Sequence, residues 1–198
     1  MEIGRSIIML KLYLMLLLVM WHPIVYAVTV GKPAPIFSLL NTTGEAVSLF
    51  DFRGKHVVLE WFNPDCVCVQ RHYQQKTMQN ITSQYKGQEV IWLGINSTYY
   101  MTTEDNIRWK DTKGLHYRIL SDFSGKIARL YQVETTPQMF VINPKGILVY
   151  KGAIDNGFPV EQSKFINYVQ AALEESLAGK PISYQEAQPY GCFVKYAY

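Results

Sequence analysis

Cysteine is scarce in this chain, with three residues among 198, at positions 66, 68 and 192. So low a density excludes a small scaffold stapled by disulfides. An odd number also excludes a fully paired chain, so at least one thiol is free, shared with a partner or paired between chains. Charge is sparse too, at 18% of residues with a formal net charge of +3. There is no dense Lys/Arg patch, which gives no reason to expect a nucleic-acid partner. The chain also lacks an internal repeat, a low-complexity stretch and a linker that would divide two domains. What it has is 48% hydrophobic residues, the composition of a globular chain rather than a disordered one. A domain of this length buries a core without staples.

The first 27 residues read as a leader. Arg5 and Lys11 are the only lysine or arginine residues there, and Leu12–Trp21 is an unbroken apolar run. Val25-Tyr26-Ala27 places small residues where a signal peptidase reads, so cleavage is expected after Ala27. The run is short for a membrane span. The alternative is an uncleaved anchor lengthened by Ile24, Val25 and Val28. The expected organisation is a signal peptide at 1–27, one domain at 28–178 and a tail at 179–198 carrying Cys192. The protein is then exported, periplasmic or otherwise extracytoplasmic, with no stable span after cleavage.

Apolar patterning sets out the domain. Prolines 33 and 35 keep the GKPAPIFSLL segment out of a helix or a central strand. Short extended pieces follow at Phe37–Leu39 and Val47–Leu49. Val57–Phe62 and Val90–Ile95 read as buried central strands. Between them a helix is expected from Cys66 to about Tyr85, which makes a βαβ unit with parallel strands. A short helix at Thr103–Thr112, a strand at Tyr117–Leu120 and a turn or two of helix at Gly125–Tyr131 come next. Gln138–Asn143 and Ile147–Lys151 form a hairpin around Pro144-Lys145-Gly146. Val160–Leu177 is an amphipathic helix with Phe165, Val169, Leu173 and Leu177 on one stripe. The tail, ending YGCFVKYAY, has no periodicity and is expected to be mobile. The fold class is α/β, a central mixed sheet with helices on both faces.

Chemistry centres on Cys66, which follows a buried strand and opens a helix. Unpaired N–H groups and aligned peptide dipoles favour an anion there, so the thiol pKa should fall and the sulfur should be nucleophilic. Cys68 lies two residues on, about 200° around a regular helix. It meets Cys66 only if the first turn is irregular. Cys192 has no such restriction and is the favoured resolving thiol, with Cys68 the second choice. Pro137, after Thr135-Thr136 and before a strand, can be cis. A cis proline facing the cysteine leaves backbone groups free to pair with an extended chain. Glu60 is either edge-facing or a buried carboxyl placed to move a proton near the sulfur. Asp65 opposes thiolate formation unless it points outward or caps the helix. Arg71 and His72 are read as solvated helix residues. Arg129 could add positive charge if its short helix faces the site.

VVLEWFNPDC before a helix, TTP before a strand, and FVINPKGILVYKGAID resemble the thioredoxin-like superfamily. Within it they resemble the redoxin group, which holds AhpC/TSA-like peroxiredoxins and exported thiol–disulfide proteins of the TlpA/ResA kind. The similarity runs from Gly31 to Leu177, and the tail resembles the ending of a subgroup of exported redoxins. The resemblance implies a thioredoxin-like fold, with Cys66 as the attacking cysteine, Pro137 as the cis-proline opposite it and Glu60 as the buried acid of exported disulfide reductases. Two departures matter. The Cys-x-x-Cys pair is missing, because position 69 is valine and the extra cysteine is Cys68. The proline and the threonine or serine that precede a peroxidatic cysteine are Leu59 and Asn63 here.

The expected function is a thiol–disulfide oxidoreductase. Its partners are a protein or small-molecule disulfide and a thiol electron donor, and no cofactor is implied. Two alternatives remain at this stage. One is a peroxiredoxin-like peroxidase using Cys66. The other is a non-catalytic protein that binds a soft metal through Cys66, Cys68 and His72.

Overall fold

The computed structural model describes residues 28–157 and 165–197, so the expected leader lies outside the described residues. Strand β3 (His56–Phe62) is the spine, and all seven of its residues are buried. Alternation sends Val57, Leu59 and Trp61 to one face and Val58 and Phe62 to the other, and a separate apolar cluster covers each face. β3 pairs in parallel with β4 (Val90–Asn96) and antiparallel with β7 (Gln138–Ile142). The hairpin partner of β7 is β8 (Leu148–Gly152), and β5 (Arg118–Ser121) extends the parallel side. The two short extended pieces are β1 (Ser38–Asn41) and β2 (Ala46–Ser48), which attach through β5. Among the described residues the order is β2-β1-β5-β4-β3-β7-β8-β9, where β9 is Glu186–Ala187. On one face Trp61, Tyr131 and Phe140 pack with ring centroids 5.0–5.3 Å apart. Burial of one such ring contributes about 3 kcal/mol.

The long helix expected after Cys66 is two helices, α1 (Val67–Gln74) and α2 (Thr77–Gln84). Lys76 between them is left-handed, at φ 56°. The reason is angular. At about 100° per residue, Val69, His72 and Tyr73 share one face of a continuous helix. Met78, Ile81 and Tyr85 would lie about 150° away from it. All six are buried, so the chain turns between the two sets at a local cost of roughly 1–2 kcal/mol. Helix α3 (Thr103–Lys113) starts as read, with Thr102 and Asp105 in a reciprocal capping box, and α4 is Lys126–Leu130.

The last helix is shorter than its stripe suggested. Residues 158–164 lie outside the described residues, and α5 runs over Tyr168–Leu177. Asn167 caps it by accepting the Gln170 N–H at 2.9 Å. Val169 and Leu173 are buried, whereas Phe165 precedes the helix and is exposed.

The tail is docked rather than loose. β9 runs parallel to β8, and β10 (Cys192–Phe193) pairs antiparallel with β6 (Thr135–Thr136). Glycine makes both approaches possible. A Cβ on Gly152 would sit 2.0 Å from the Ala187 carbonyl oxygen, and one on Gly191 would sit 2.0 Å from that of Thr136. Two-residue strands leave no periodicity to read, which is why the tail looked irregular in sequence.

Candidate functional site

The turn after β3 sets the geometry. Asn63 accepts the Asp65 N–H through its side chain at 2.9 Å, and its carbonyl accepts the Cys66 N–H at 3.0 Å. Asp65 thereby points outward, where its carboxylate accepts the Tyr100 hydroxyl. Cys66 is the residue that caps α1 rather than a member of its first turn, with φ −77° and ψ 122°. Its carbonyl accepts the Gln70 N–H at 2.9 Å, and its side chain is fully buried. This extended conformation relaxes the 200° separation expected for Cys68, and the Cys66 and Cys68 sulfurs interact.

Three segments converge on the Cys66 sulfur. Its S–H donates to the Thr136 carbonyl at 3.0 Å. The Thr136–Pro137 peptide is cis. The β6–β10 ladder sets Cys192 directly opposite Thr136. Burial pushes the Cys66 thiol up, but hydrogen bonds from the Cys192 thiol, the Val69 and Cys192 N–H groups and the Thr136 hydroxyl outweigh it. The net direction is downward, toward thiolate. The Val69 N–H does this without closing a full capping bond. Cys192 moves the other way, raised by burial and by its hydrogen bond to Cys66. Cys68 is also raised, by burial and then by the negative charge on Cys66, with Arg71 opposing. All three cysteines are free.

Glu60 is buried, as one of its two readings required, and its carboxylate is engaged by three aromatic donors. Its carboxylate accepts Tyr73 Oη at 2.7 Å, Trp92 Nε1 at 2.8 Å and Tyr117 Oη at 3.1 Å. Tyr73 lies seven residues along from Cys66, about 10 Å at the helical rise. Burial pushes the Glu60 carboxyl up against these three donors. Arg129 does not face Cys66. It donates to the Ala197 carbonyl and stacks on the Tyr196 ring at 4.3 Å, gripping the tail.

His72 overturns its expected solvation, being 1% exposed. Its Nε2 lies 2.9 Å from Tyr190 Oη, which in turn donates to Asp155 Oδ1 at 2.5 Å. A phenol carries one proton, so His72 Nε2 must be the donor in the first of these bonds. Burial first, then Arg71, pushes the imidazole pKa down, with Asp155 opposing. Arg71 also donates to Tyr190 Oη at 3.2 Å. Sequence reasoning missed Tyr190 and Asp155 as parts of this region. The one local signal was the Tyr190-Gly191-Cys192 run itself. His72 therefore points into the Tyr190 cluster. Among the described residues no group of three or more His, Cys, Asp or Glu side chains forms a metal site. At the two positions where a peroxidatic site carries proline and threonine or serine, Leu59 is buried in the opposite cluster and Asn63 is turned to the Asp65 N–H.

The model of the AhpC/TSA family matches residues 30–151, more than half of the 198-residue chain. The chain belongs to the AhpC/TSA family. Among curated relatives of this AhpC/TSA chain is thiol-disulfide oxidoreductase ResA of Bacillus subtilis (strain 168), 26% identical over 123 residues. That alignment covers 62% of this chain and 66% of ResA. Thioredoxin-like protein YneN of the same organism is 29% identical over 119 residues, covering 60% of this chain and 68% of YneN. The chain thus spans about two thirds of the length of the curated relatives it matches. A hypothetical protein, SMc02350 from Sinorhizobium meliloti 1021, has the same fold, with a TM-score of 0.77 at 23% identity. It covers 87% of this chain and 97% of that one. The fold of this AhpC/TSA member is thioredoxin-like, a mixed sheet flanked by helices. Among the described residues no helix is long and apolar enough to cross a membrane.

Proposed function

We propose that this chain is a thiol–disulfide oxidoreductase acting outside the cytoplasm, with Cys66 as nucleophile and Cys192 as resolving thiol. The observation that carries the reading is the antiparallel register of Cys192 on Thr136, the residue whose carbonyl holds the Cys66 thiol. The Cys66 thiolate attacks a substrate disulfide R–S–S–R′, forms Cys66–S–S–R and releases R′S⁻. The Cys192 thiolate then attacks the Cys66 sulfur, releases RS⁻ and leaves a Cys66–Cys192 disulfide. Two electrons pass from the two protein thiols to the substrate, and an external dithiol donor restores them. The opposed shifts suit the order, since the sulfur with the lowered pKa attacks first. The curated relative ResA bears the name of this activity, and the leader expected at 1–27 supports the compartment.

The test is thiol mapping on single variants. Cys66→Ser abolishes turnover, Cys192→Ser accumulates a mixed disulfide on Cys66, and Cys68→Ser completes both steps. Non-reduced peptide maps of the oxidised protein show Cys66 joined to Cys192. A dominant Cys66–Cys68 bond rejects the assignment.

A further inference from the structure

The proposed roles of the sulfurs leave a part-buried polar cluster without a role. It consists of His72 and Arg71 on α1, Asp155 after β8 and Tyr190 in the tail. Tyr190 Oη is saturated, accepting from His72 and Arg71 and donating to Asp155. Its ring also lies under the Arg71 guanidinium at 5.5 Å. Its place is informative, because α1 carries His72 in its second turn and Cys66 as its cap. The six-residue step between them spans about 9 Å of helix axis. Tyr190 and Cys192 lie two residues apart on the tail, a reach of about 7 Å when extended. The tail therefore lies along α1 with one side chain keyed to each end of that run.

The key matters because β10 is two residues long. A strand slipped by one residue turns its side chains to the opposite face. With Gly191 or Phe193 opposite Thr136, Cys192 would point away from Cys66. Downstream, the tail is latched by Val194 N–H on the Glu134 carbonyl at 3.0 Å and by Tyr196 Oη on the Val133 carbonyl at 2.7 Å. Those latches sit on the β6 side of the site. Cys66 is fully buried and Cys192 of the tail lies against it, so lifting of the β10 segment off β6 is the route by which a disulfide would reach it. The Tyr190 contacts lie off that edge, on α1 and after β8.

We infer that Tyr190, held by His72, Asp155 and Arg71, is a positioning residue that aims Cys192 at Cys66 for the resolving step. The inference rests on the proposed roles of the two cysteines. Tyr190 does not touch the reacting atoms. It keeps the register and returns the thiol after substrate has been attacked.

The two steps separate in one measurement. Reduced full-length protein carrying Cys68→Ser is mixed with one equivalent of 5,5′-dithiobis(2-nitrobenzoate). Attack by Cys66 releases one thionitrobenzoate, and resolution by Cys192 releases the second. Tyr190→Phe keeps the ring over Arg71 and removes the hydroxyl. The expected result is a first phase no slower than the parent's and a second phase at least tenfold slower, with the mixed disulfide accumulating. The first phase, read on the same molecules, reports an intact fold. An unchanged second phase overturns the inference, and so does a parallel slowing of both phases. Cys192→Ser keeps the proposed roles separately testable. If it still releases the second equivalent, the resolving assignment fails. If it does not, while Tyr190→Phe does so at the parent's rate, only the positioning role fails.

Discussion

Replacing Gly191 by alanine tests whether the tail governs access to Cys66. Gly191 has φ +133°, and an added Cβ would lie 2.0 Å from the Thr136 carbonyl oxygen and 2.9 Å from its carbon. Both are backbone atoms, so no side chain can swing aside and β10 must leave β6. The displaced segment gives up its ladder to β6 and the Val194 N–H bond to Glu134. At about 1 kcal/mol net for each of roughly three hydrogen bonds, the closed state loses about 3 kcal/mol. That converts to a factor of about 100 in the open population. Alkylation of a fully buried thiol proceeds through the open state, so its rate should rise by the same factor. The assay is iodoacetamide labelling of Cys66 followed by mass spectrometry, with Cys68→Ser and Cys192→Ser in both proteins so that one thiol reports. Labelling within threefold of the parent would show that the tail does not cover the sulfur, and the argument from the Gly191 contact would fail.

Two further outcomes follow from the buried ionisable groups. Burial raises the Glu60 pKa above 4.5, so the folded state holds a proton that the unfolded state releases. Glu60's contribution to stability is therefore greatest below pH 4.5 and is lost as pH rises through the folded value, by up to about 1.4 kcal/mol per pH unit. Glu60→Gln should remove that part of the slope in urea melts run from pH 4 upward, and an unchanged slope would refute it. The hydrogen bond from the Cys192 thiol is the strongest of the contacts that hold the Cys66 pKa down. Cys192→Ala should accordingly move the Cys66 alkylation midpoint to higher pH, whereas an unmoved or lowered midpoint contradicts the sulfur–sulfur hydrogen bond.

The central strands were legible because β3 and β4 are apolar runs buried on both faces, and β7–β8 because Pro144-Lys145-Gly146 marks the turn. The break at Lys76 was legible in principle, since two apolar sets about 150° apart cannot share one helix face. The same angular test places His72 beside Val69 on the buried side, where its polarity alone had suggested solvent. The docking of Cys192 was foreseen as chemistry but not as structure. The ladder that achieves it is two residues long and depends on Gly191, Thr136 and Tyr190, which no local pattern joins. Glu60 shows the limit of reading a role from burial. Its face of β3 was accessible to reasoning, but its three aromatic donors come from α1, β4 and the stretch before β5.

The order of synthesis acquires meaning from the docked tail. Both apolar clusters draw almost all their residues from positions before 178, so the domain can consolidate while its final turn of chain is still emerging. During that interval Cys66 has no companion thiol from the tail. A stop codon at position 191 would make this state permanent, and under the proposed roles it would leave Cys66 to attack without a resolving thiol from the tail.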